Sequence, residues 1–170
     1  EYVIQDKQHG TGHAVSCAKD TLDNNVAKPD SILVLYCDHP FIKSESIRSF
    51  AKLMPETVTI MPTNLSDFDG WQQNFYRWGR IIRGADGRVE KIVEFKDASD
   101  EEKQVTEVNP GFMCFNTNWL FQNISSLQNN NNQAEYYLTD MVKLAFDSAH
   151  EIGTIGIEAH EAMGVNSLEE

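Results

Sequence analysis

The sequence predicts an α/β fold with a mixed, mostly parallel sheet, and three patterns along the chain lead to this prediction. Two short apolar runs, residues 31–37 and 57–61, have the length and composition of strands buried on both faces. Residues 44–54, between them, carry apolar side chains at helical spacing. Because a strand, a helix and a strand in this order form a crossover, the two strands are expected to run in the same direction.

The rest of the chain continues this alternation. Residues 80–83 and 88–95 predict a hairpin with its turn at Asp86-Gly87, a pair that favours tight connections between strands. Apolar spacing predicts further strands at residues 111–115 and 152–157, and helices at residues 116–127 and 139–149.

Two polar stretches are predicted to be loops. Residues 66–73 are mainly polar and contain Gly70. Residues 128–133 include Asn129 to Asn132, a low-complexity run for which a flexible loop is one interpretation.

Length and charge exclude several classes of protein. The 170 residues fit one domain, and 14 basic against 26 acidic residues give a formal net charge of −12. Because an acidic surface repels a phosphate backbone, no nucleic-acid partner is expected. The longest apolar run, residues 32–37, is far shorter than the ~20 residues of a membrane span, so no membrane partner is expected. Three scattered cysteines indicate a reducing, cytoplasmic location.

Asp38 follows the first predicted strand directly. Ligands of open α/β sheets gather at the carboxyl ends of strands, and a carboxylate there suits Mg²⁺, which prefers oxygen ligands. The alternative is that Asp38 caps the turn that contains Pro40. Strand position alone does not decide between a metal ligand and a cap.

The segment Gly10-Thr11-Gly12-His13 opens a predicted helix. Its glycines allow a ligand to approach the backbone closely, but a simple turn with a cap explains them equally. His9 and His13 have a spacing that suits zinc on a helix, yet the glycines between them argue against a helix through both. The other histidines lack partners at ligand spacing and are expected at the surface or at caps; they are His39, His150 and His160.

Several segments, in one order along the whole chain, together resemble the sugar nucleotidyltransferase family. Within that family they are most similar to the bacterial uridyltransferase domains that use N-acetylglucosamine 1-phosphate. The matching segments are Gln5 to Ala14, Leu35 to Pro40, Trp78 to Ile81, Ile92 to Ala98, Val108 to Gly111, Asn130 to Asp140, and Gly164 to Asn166. The resemblance implies a Rossmann-like nucleotidyltransferase fold.

The resemblance also implies a reaction. UTP and a sugar 1-phosphate, with N-acetylglucosamine 1-phosphate as the expected sugar, would give a UDP-sugar and pyrophosphate. UDP-N-acetylglucosamine is a precursor of the cell envelope. The sugar phosphate attacks the α-phosphorus directly, so no catalytic side chain is implied and the protein mainly positions its substrates. Mg²⁺ is the implied cofactor.

Roles for individual residues follow from the same resemblance. Nucleotide binding is implied for Gln5, Gln8, Gly10 and Thr11. Sugar-phosphate binding is implied for Gly79, Glu94, Asn109, Tyr137 and Thr139. Asp38 and Asn166 are implied as the Mg²⁺ ligands.

The sequence departs from the family pattern in three places. Nothing in residues 1–30 resembles the family's Gly-rich triphosphate loop, so residues 1–170 are expected to be a partial nucleotidyltransferase domain, its C-terminal two-thirds, with the N-terminal part missing. Alone it is expected to be inactive, and an uncovered sheet edge would favour a homo-oligomer. Cys37 and His39 replace a glycine and an apolar residue beside Asp38. Residues 67–78 are longer than the family's approach to Gly79, and Pro110 replaces a threonine.

Two other functions stay open at this point. A relative that binds nucleotide-sugars without catalysis, as a regulatory module, would equally lack the Gly-rich loop. A metal-dependent phosphohydrolase built around Asp38 is a weaker alternative.

Overall fold

A computed structural model of the chain describes residues 2–23, 28–53 and 55–165. The strands, in chain order, are β1 Ser31–Val34, β2 Val58–Ile60, β3 Thr63–Asn64, β4 Gly79–Arg83, β5 Val89–Val93, β6 Glu107–Asn109, β7 Met113–Asn116 and β8 Gly153–Thr154. The α-helices are α1 Thr11–Cys17, α2 Lys19–Asp23, α3 Ser44–Ala51, α4 Thr117–Asn123, α5 Asp140–Asp147 and α6 Ala159–Ala162. Short 3₁₀ helices lie at Gly70–Phe75, Glu102–Gln104 and Ile124–Ser126.

The strands form two sheets. The first sheet has the order β1-β7-β2-β8, and β7 is antiparallel to both β1 and β2, whereas β2 and β8 are parallel. Three of its four strands therefore run in one direction, and the predicted mixed α/β fold is confirmed. The second sheet, β3-β6-β4-β5, is antiparallel throughout and contains the predicted hairpin as β4 and β5.

The strands that flank the crossover helix are not neighbours. β1 and β2 run in the same direction, as predicted, but β7 lies between them and pairs with both. Because β1 is the end strand of the sheet, its residues are only half-buried, and the prediction of burial on both faces is wrong for this strand. The ladder also ends earlier than residue 37, at Val34, because its partner Met113 is the first residue of β7.

β7 is the central strand of the core. Met113 and Phe115 face one apolar cluster, which includes Leu138 and Met141 from the chain around α5. Cys114, with its side chain on the opposite face, belongs to a second cluster that includes Phe50 of α3 and Phe75. This alternation is the period of two that a strand buried on both faces requires.

The predicted loops differ in outcome. Residues 128–133 contain neither helix nor strand, as predicted. Residues 66–73 were expected to be a loop throughout, but Gly70–Phe75 forms a 3₁₀ helix. Phe75 is fully buried in the second cluster, so burial of one aromatic side chain orders a segment whose composition is polar.

Among the described residues, no helix is both long enough and apolar enough to cross a membrane.

Candidate functional site

The loop that precedes α1 is fixed to the segment that precedes α5. The Gly12 amide donates to the Tyr136 carbonyl at 2.8 Å. Gly10 has a φ of +103°, and a Cβ atom there would lie 2.7 Å from the Tyr136 carbonyl oxygen, so only glycine fits. The Leu138 amide donates to Thr11 Oγ1 at 3.0 Å. The predicted nucleotide-binding loop and part of the predicted sugar pocket are therefore joined into one unit.

The two predicted glutamine ligands differ in their surroundings. Gln5 Nε2 donates to the Gly10 carbonyl at 3.2 Å and lies 2.9 Å from His13 Nδ1, so this amide braces the loop. Gln8 is exposed and free to meet a ligand. The His9 ring packs edge-on against that of His13, with 5.2 Å between centroids, and only His13 is in α1.

Tyr36, just past the end of β1, connects the two halves of the site. Its ring occupies the space beside Gly111, where a Cβ atom would lie 2.0 Å from Tyr36 Cε2. Burial raises the pKa of Tyr36 to about 12, the charges of Glu94 and Asp38 act in the same direction, and a hydrogen bond with the Thr11 side chain opposes them. Tyr36 thus lies among residues predicted for the nucleotide, the sugar phosphate and the metal.

Two of the predicted sugar-phosphate residues, Thr139 and Gly79, lie beside Glu94, and a third, Asn109, lies next to Gly79. The Thr139 hydroxyl donates to Glu94 Oε1 at 2.9 Å. A Cβ atom on Gly79 would lie 3.5 Å from Glu94 Oε2, in ordinary van der Waals contact, so the backbone of β4 passes beside this carboxylate. Gly79 pairs with Asn109 across β4 and β6, and Asn109 Oδ1 accepts the Gly111 amide at 3.1 Å.

The electrostatics of this pocket disfavour negative charge. Burial raises the pKa of Glu94, and neighbouring carboxylates add to the shift while the Thr139 hydroxyl opposes it. Those carboxylates belong to Asp140, Asp97 and Glu135. Burial, with the charge of Asp97, also raises the pKa of Asp140. A ligand that donates hydrogen bonds or brings a cation is therefore favoured over a free anion.

Tyr137 is buried, and its hydroxyl group is already bonded. It donates to Asp97 Oδ2 at 3.0 Å and accepts from Gln133 Nε2 at 2.8 Å. Burial is the first cause that raises the pKa of Tyr137 to about 12. Asp97 Oδ1 also accepts the Asn132 amide at 2.9 Å, and the Asn132 side chain donates to the Lys96 carbonyl at 2.8 Å. The Asn-rich loop is thus hydrogen-bonded to the segment that follows β5.

Asp38 lies beside the C-terminal segment of the described chain. The Val165 amide donates to the Asp38 carbonyl at 2.8 Å. Asp38 Oδ1 is buried without a hydrogen-bond partner among the residues that the structure describes, and His39 Nε2, at 3.7 Å, is too far for one. An unpartnered carboxylate oxygen of this kind fits a hard cation such as Mg²⁺.

His39 is buried, so its prediction as a surface or cap residue is wrong. Its ring packs edge-on against Phe112 at 4.7 Å and Trp78 at 5.6 Å between centroids. His39 Nδ1 bonds to the Ala162 carbonyl at 2.7 Å, and since a carbonyl only accepts, Nδ1 is the donor. The imidazole therefore fills an apolar site and fixes the residue next to Asp38.

The second predicted metal ligand, Asn166, lies outside the described residues. The residue before it in the sequence, Val165, is the last described residue, and its amide donates to the backbone carbonyl of Asp38. Within residues 2–23, 28–53 and 55–165, no group of three or more His, Cys, Asp or Glu side chains could hold a metal ion.

The structure therefore joins the predicted nucleotide loop to the predicted sugar pocket, in which Thr139 and Gly79 lie beside Glu94. Residue-level reasoning did not assign Tyr36, although it stands in the matching segment that contains Asp38. It also missed Asp97, which holds both Tyr137 and the Asn-rich loop. The signal was present in each case, since both residues belong to segments that carry the family resemblance.

Curated relatives match almost the whole chain. Bifunctional protein GlmU of Clostridium kluyveri is 41% identical over 169 residues, covering 98% of this chain and 35% of that protein. The protein of the same name from Acetivibrio thermocellus is 39% identical over 169 residues, covering 97% of this chain and 34% of that protein. The chain thus spans about a third of the length of the curated relatives it matches. No model of a known protein family matches it.

A solved structure, that of UDP-glucose pyrophosphorylase complexed with UDP-glucose, has a similar fold. The TM-score is 0.64 at 15% sequence identity, and the match covers 93% of this chain and 58% of that one. The likeness at this identity concerns the fold alone. Together with the relatives, which match nearly every residue, it shows that the chain belongs to the sugar nucleotidyltransferase family.

Proposed function

We propose that this chain, as a partial domain within a longer protein, takes part in the transfer of UMP from UTP to a sugar 1-phosphate. The observation that carries the proposal is a pair of hydrogen bonds that join the predicted nucleotide loop to the predicted sugar pocket: the Leu138 amide donates to Thr11 Oγ1, and the hydroxyl of the next residue, Thr139, donates to Glu94. The relatives named bifunctional protein GlmU support it, and their match favours N-acetylglucosamine 1-phosphate as the sugar phosphate. A cytoplasmic location remains a prediction of the sequence.

The proposed step is a direct displacement. An oxygen of the sugar phosphate forms a bond to the α-phosphorus of UTP, and the bond from that phosphorus to the departing pyrophosphate oxygen breaks. Pyrophosphate leaves with the bonding electrons. Because no side chain forms a bond to phosphorus, the protein contributes orientation and charge compensation.

The nucleotide side of the site would be formed by the loop that is fixed to the Tyr136 segment. In this proposal Gln5 and Gln8 lie on the uracil side, and the Gly10 backbone and the Thr11 hydroxyl meet the nucleoside. The bonds that hold Gln5 and Thr11 in place support such a role, since the loop would be ordered before the ligand arrives.

The sugar-phosphate side would be formed by Gly79, Glu94, Asn109, Tyr137 and Thr139. Glu94 is largely buried with a raised pKa and has one hydroxyl donor, so its carboxylate can accept a further bond from a sugar hydroxyl or an acetamido N–H. Tyr137, whose hydroxyl is bonded to Asp97, would contribute through its position.

Asp38 and Asn166 would hold Mg²⁺, which supplies charge neutralisation for the phosphates when it is bound. The unpartnered Oδ1 of Asp38 supports this assignment. His39 would hold the backbone next to Asp38 in place through its bond to the Ala162 carbonyl.

A pyrophosphate-release assay tests the proposal in the longer protein that contains this chain. Asp38→Asn is expected to lower turnover at least ~100-fold, since it removes a charge that neutralises the cation. Asp100→Asn is the matched control, because the Asp100 side chain is 96% exposed and lies outside the site. Equal turnover for Asp38→Asn and the control would contradict the metal assignment.

A second variant distinguishes an effect on the sugar phosphate from an effect on UTP. Glu94→Ala is expected to lower kcat/KM for the sugar phosphate by roughly 10- to 100-fold, the effect of one lost hydrogen bond to a charged group. The corresponding value for UTP should fall less. Equal losses for both substrates would show that Glu94 is not a sugar contact. Binding of the UDP-sugar without any turnover by the longer protein would favour the non-catalytic alternative.

A further inference from the structure

Residues 67–78, the segment before β4, pack into the fold through buried side chains and hydrogen bonds. The Arg80 side chain is fully buried and donates to the carbonyl oxygens of Tyr76, at 2.7 Å, and of Trp78. Phe75 is fully buried as well. Trp71, in the same segment, nevertheless remains 43% exposed. A single exposed aromatic side chain is common on protein surfaces, so the case for a ligand rests on the cleft that Trp71 borders.

Trp71 forms one wall of a cleft of about 460 Å³. Its indole stacks on the imidazole of His160, with 4.3 Å between the ring centroids and 23° between the planes. The other walls come from the chain after β2 and from the turn that leads into α6. They include Pro62, Asn64, Gln72 and Glu158.

The chemistry of the walls restricts the ligand. Within the described part of the chain, no lysine or arginine lines the cleft, so an anion would find no cationic partner. The side chains of Asn64, Glu158 and His160 make no hydrogen bond to other described residues, and they offer an amide, a carboxylate and an imidazole. An indole face beside unused donors and acceptors suits a molecule with an apolar C–H face and a rim of hydroxyl groups.

We propose that this cleft binds a neutral saccharide, with one face of the sugar ring against Trp71 and its hydroxyl groups bonded to Asn64, Glu158 and His160. None of the cleft residues belongs to the candidate nucleotidyltransferase site. The proposal goes beyond the proposed function and does not depend on it.

Binding is tested with the 170-residue chain and three free sugars: glucose, galactose and N-acetylglucosamine. The chain contains three tryptophans, so the indole N–H signal of Trp71 can be assigned in an NMR spectrum by comparison with Trp71→Phe. We expect at least one sugar to shift this signal with a dissociation constant on the order of 1 mM, as a ligand of this size allows.

Two variants should each weaken that binding at least tenfold, measured on the proton signals of the sugar itself, because Trp71→Ala has no Trp71 signal to follow. Trp71→Ala removes the stacking surface. Gly156→Leu fills the cleft, and it should fold normally, since a Cβ atom on Gly156 would meet no atom closer than the Pro62 carbonyl oxygen at 4.0 Å. Binding that persists in both variants would overturn the proposal.

Two controls complete the test. Phe41→Ala removes another exposed aromatic side chain, 51% exposed, and Glu94→Gln alters the candidate sugar pocket. In both variants the Trp71 signal should respond to the sugar as it does in the unmodified chain, whatever happens at the Glu94 pocket. Loss of binding in Glu94→Gln would place the sugar in the other pocket, and a stronger Trp71 response to uridine than to any sugar would indicate base stacking. Either result would overturn the proposal. So would the absence of any Trp71 response at a sugar concentration ten times the expected dissociation constant.

Discussion

Two largely buried carboxylates, Glu94 and Glu161, have opposite surroundings, one in the candidate sugar pocket and the other at a junction between two helices. Glu161 of α6 accepts the Lys43 amide, the Lys43 ammonium at 2.8 Å and the Ser46 hydroxyl at 2.6 Å. Burial acts to raise its pKa, but these bonds outweigh burial and hold the pKa of Glu161 below its usual range. Glu94 has one hydroxyl donor and other carboxylates nearby, and its pKa is raised.

The number of hydrogen-bond donors around each carboxylate indicates its role. Glu161 has its bonding capacity used within the protein, so it fastens α6 to the start of α3. Glu94 keeps bonding capacity for a partner that the protein itself does not supply. A buried polar group that lacks partners costs stability, and such groups concentrate where ligands bind.

The largest effect is expected where close backbone packing shapes the pocket. Gly111→Ala should lower the free energy of unfolding by at least about 3 kcal/mol, because Gly111 has a φ of +91° and the new methyl group would overlap the Tyr36 ring. Gly87→Ala is the matched control, with a φ of +81° and no atom within 4 Å of the added Cβ. It should cost about 1 to 2 kcal/mol. If urea unfolding gives the same decrease in the free energy of unfolding for both variants, the Tyr36 ring moves aside at little cost and the prediction is wrong.

A smaller loss is expected at the junction. Glu161→Gln should lower the free energy of unfolding by about 2 kcal/mol, because the amide cannot satisfy all the donors that face it. Asp147→Asn breaks an exposed ion pair with Lys143, whose side chains are 51% and 55% exposed, and should change stability by less than about 0.5 kcal/mol. A loss at Glu161 no larger than at Asp147 would mean that the junction is not held by this carboxylate.

The smallest effect is a difference in pH dependence. A raised folded-state pKa, as for Glu94, gives stability that is present below the unfolded pKa and lost as the pH rises through the folded pKa. A lowered pKa, as for Glu161, gives stability that is present above the unfolded pKa and lost as the pH falls through the folded pKa. Glu94→Gln should therefore be more stable than the unmodified protein at neutral pH, and Glu161→Gln less stable.

Urea unfolding between roughly pH 4 and pH 7 checks these signs, since the window spans the ordinary carboxyl range. Both differences should shrink as the pH falls. A stability difference of the same sign for the two variants at neutral pH would contradict the contrast between the carboxylates.

Sequence patterns identified most elements but not their limits. The hairpin at Asp86-Gly87 and the crossover through α3 were predictable because local residue preferences and apolar spacing define them. The early end of β1 was not, because it depends on where the distant strand β7 begins. The burial of His39 was missed for a similar reason, since its partners Phe112 and Ala162 are far away in the sequence.

In the candidate site, too, some residues were predictable from the sequence, whereas the contacts between them were not. The segments that resemble the family predicted several of its residues, including Glu94, Asn109 and Asp38. They could not tell that Tyr36 lies among them or that Asp97 holds the Asn-rich loop, because both facts depend on contacts between separate elements.

The sequence by itself determined the class of fold, the acidic surface and the family, because composition, periodicity and motifs are local properties of the chain. Only the tertiary structure decided which carboxylates are satisfied and which keep free bonding capacity. That distinction depends on burial and on partners up to 118 residues apart in the chain, such as Lys43 and Glu161, and folding alone brings them together.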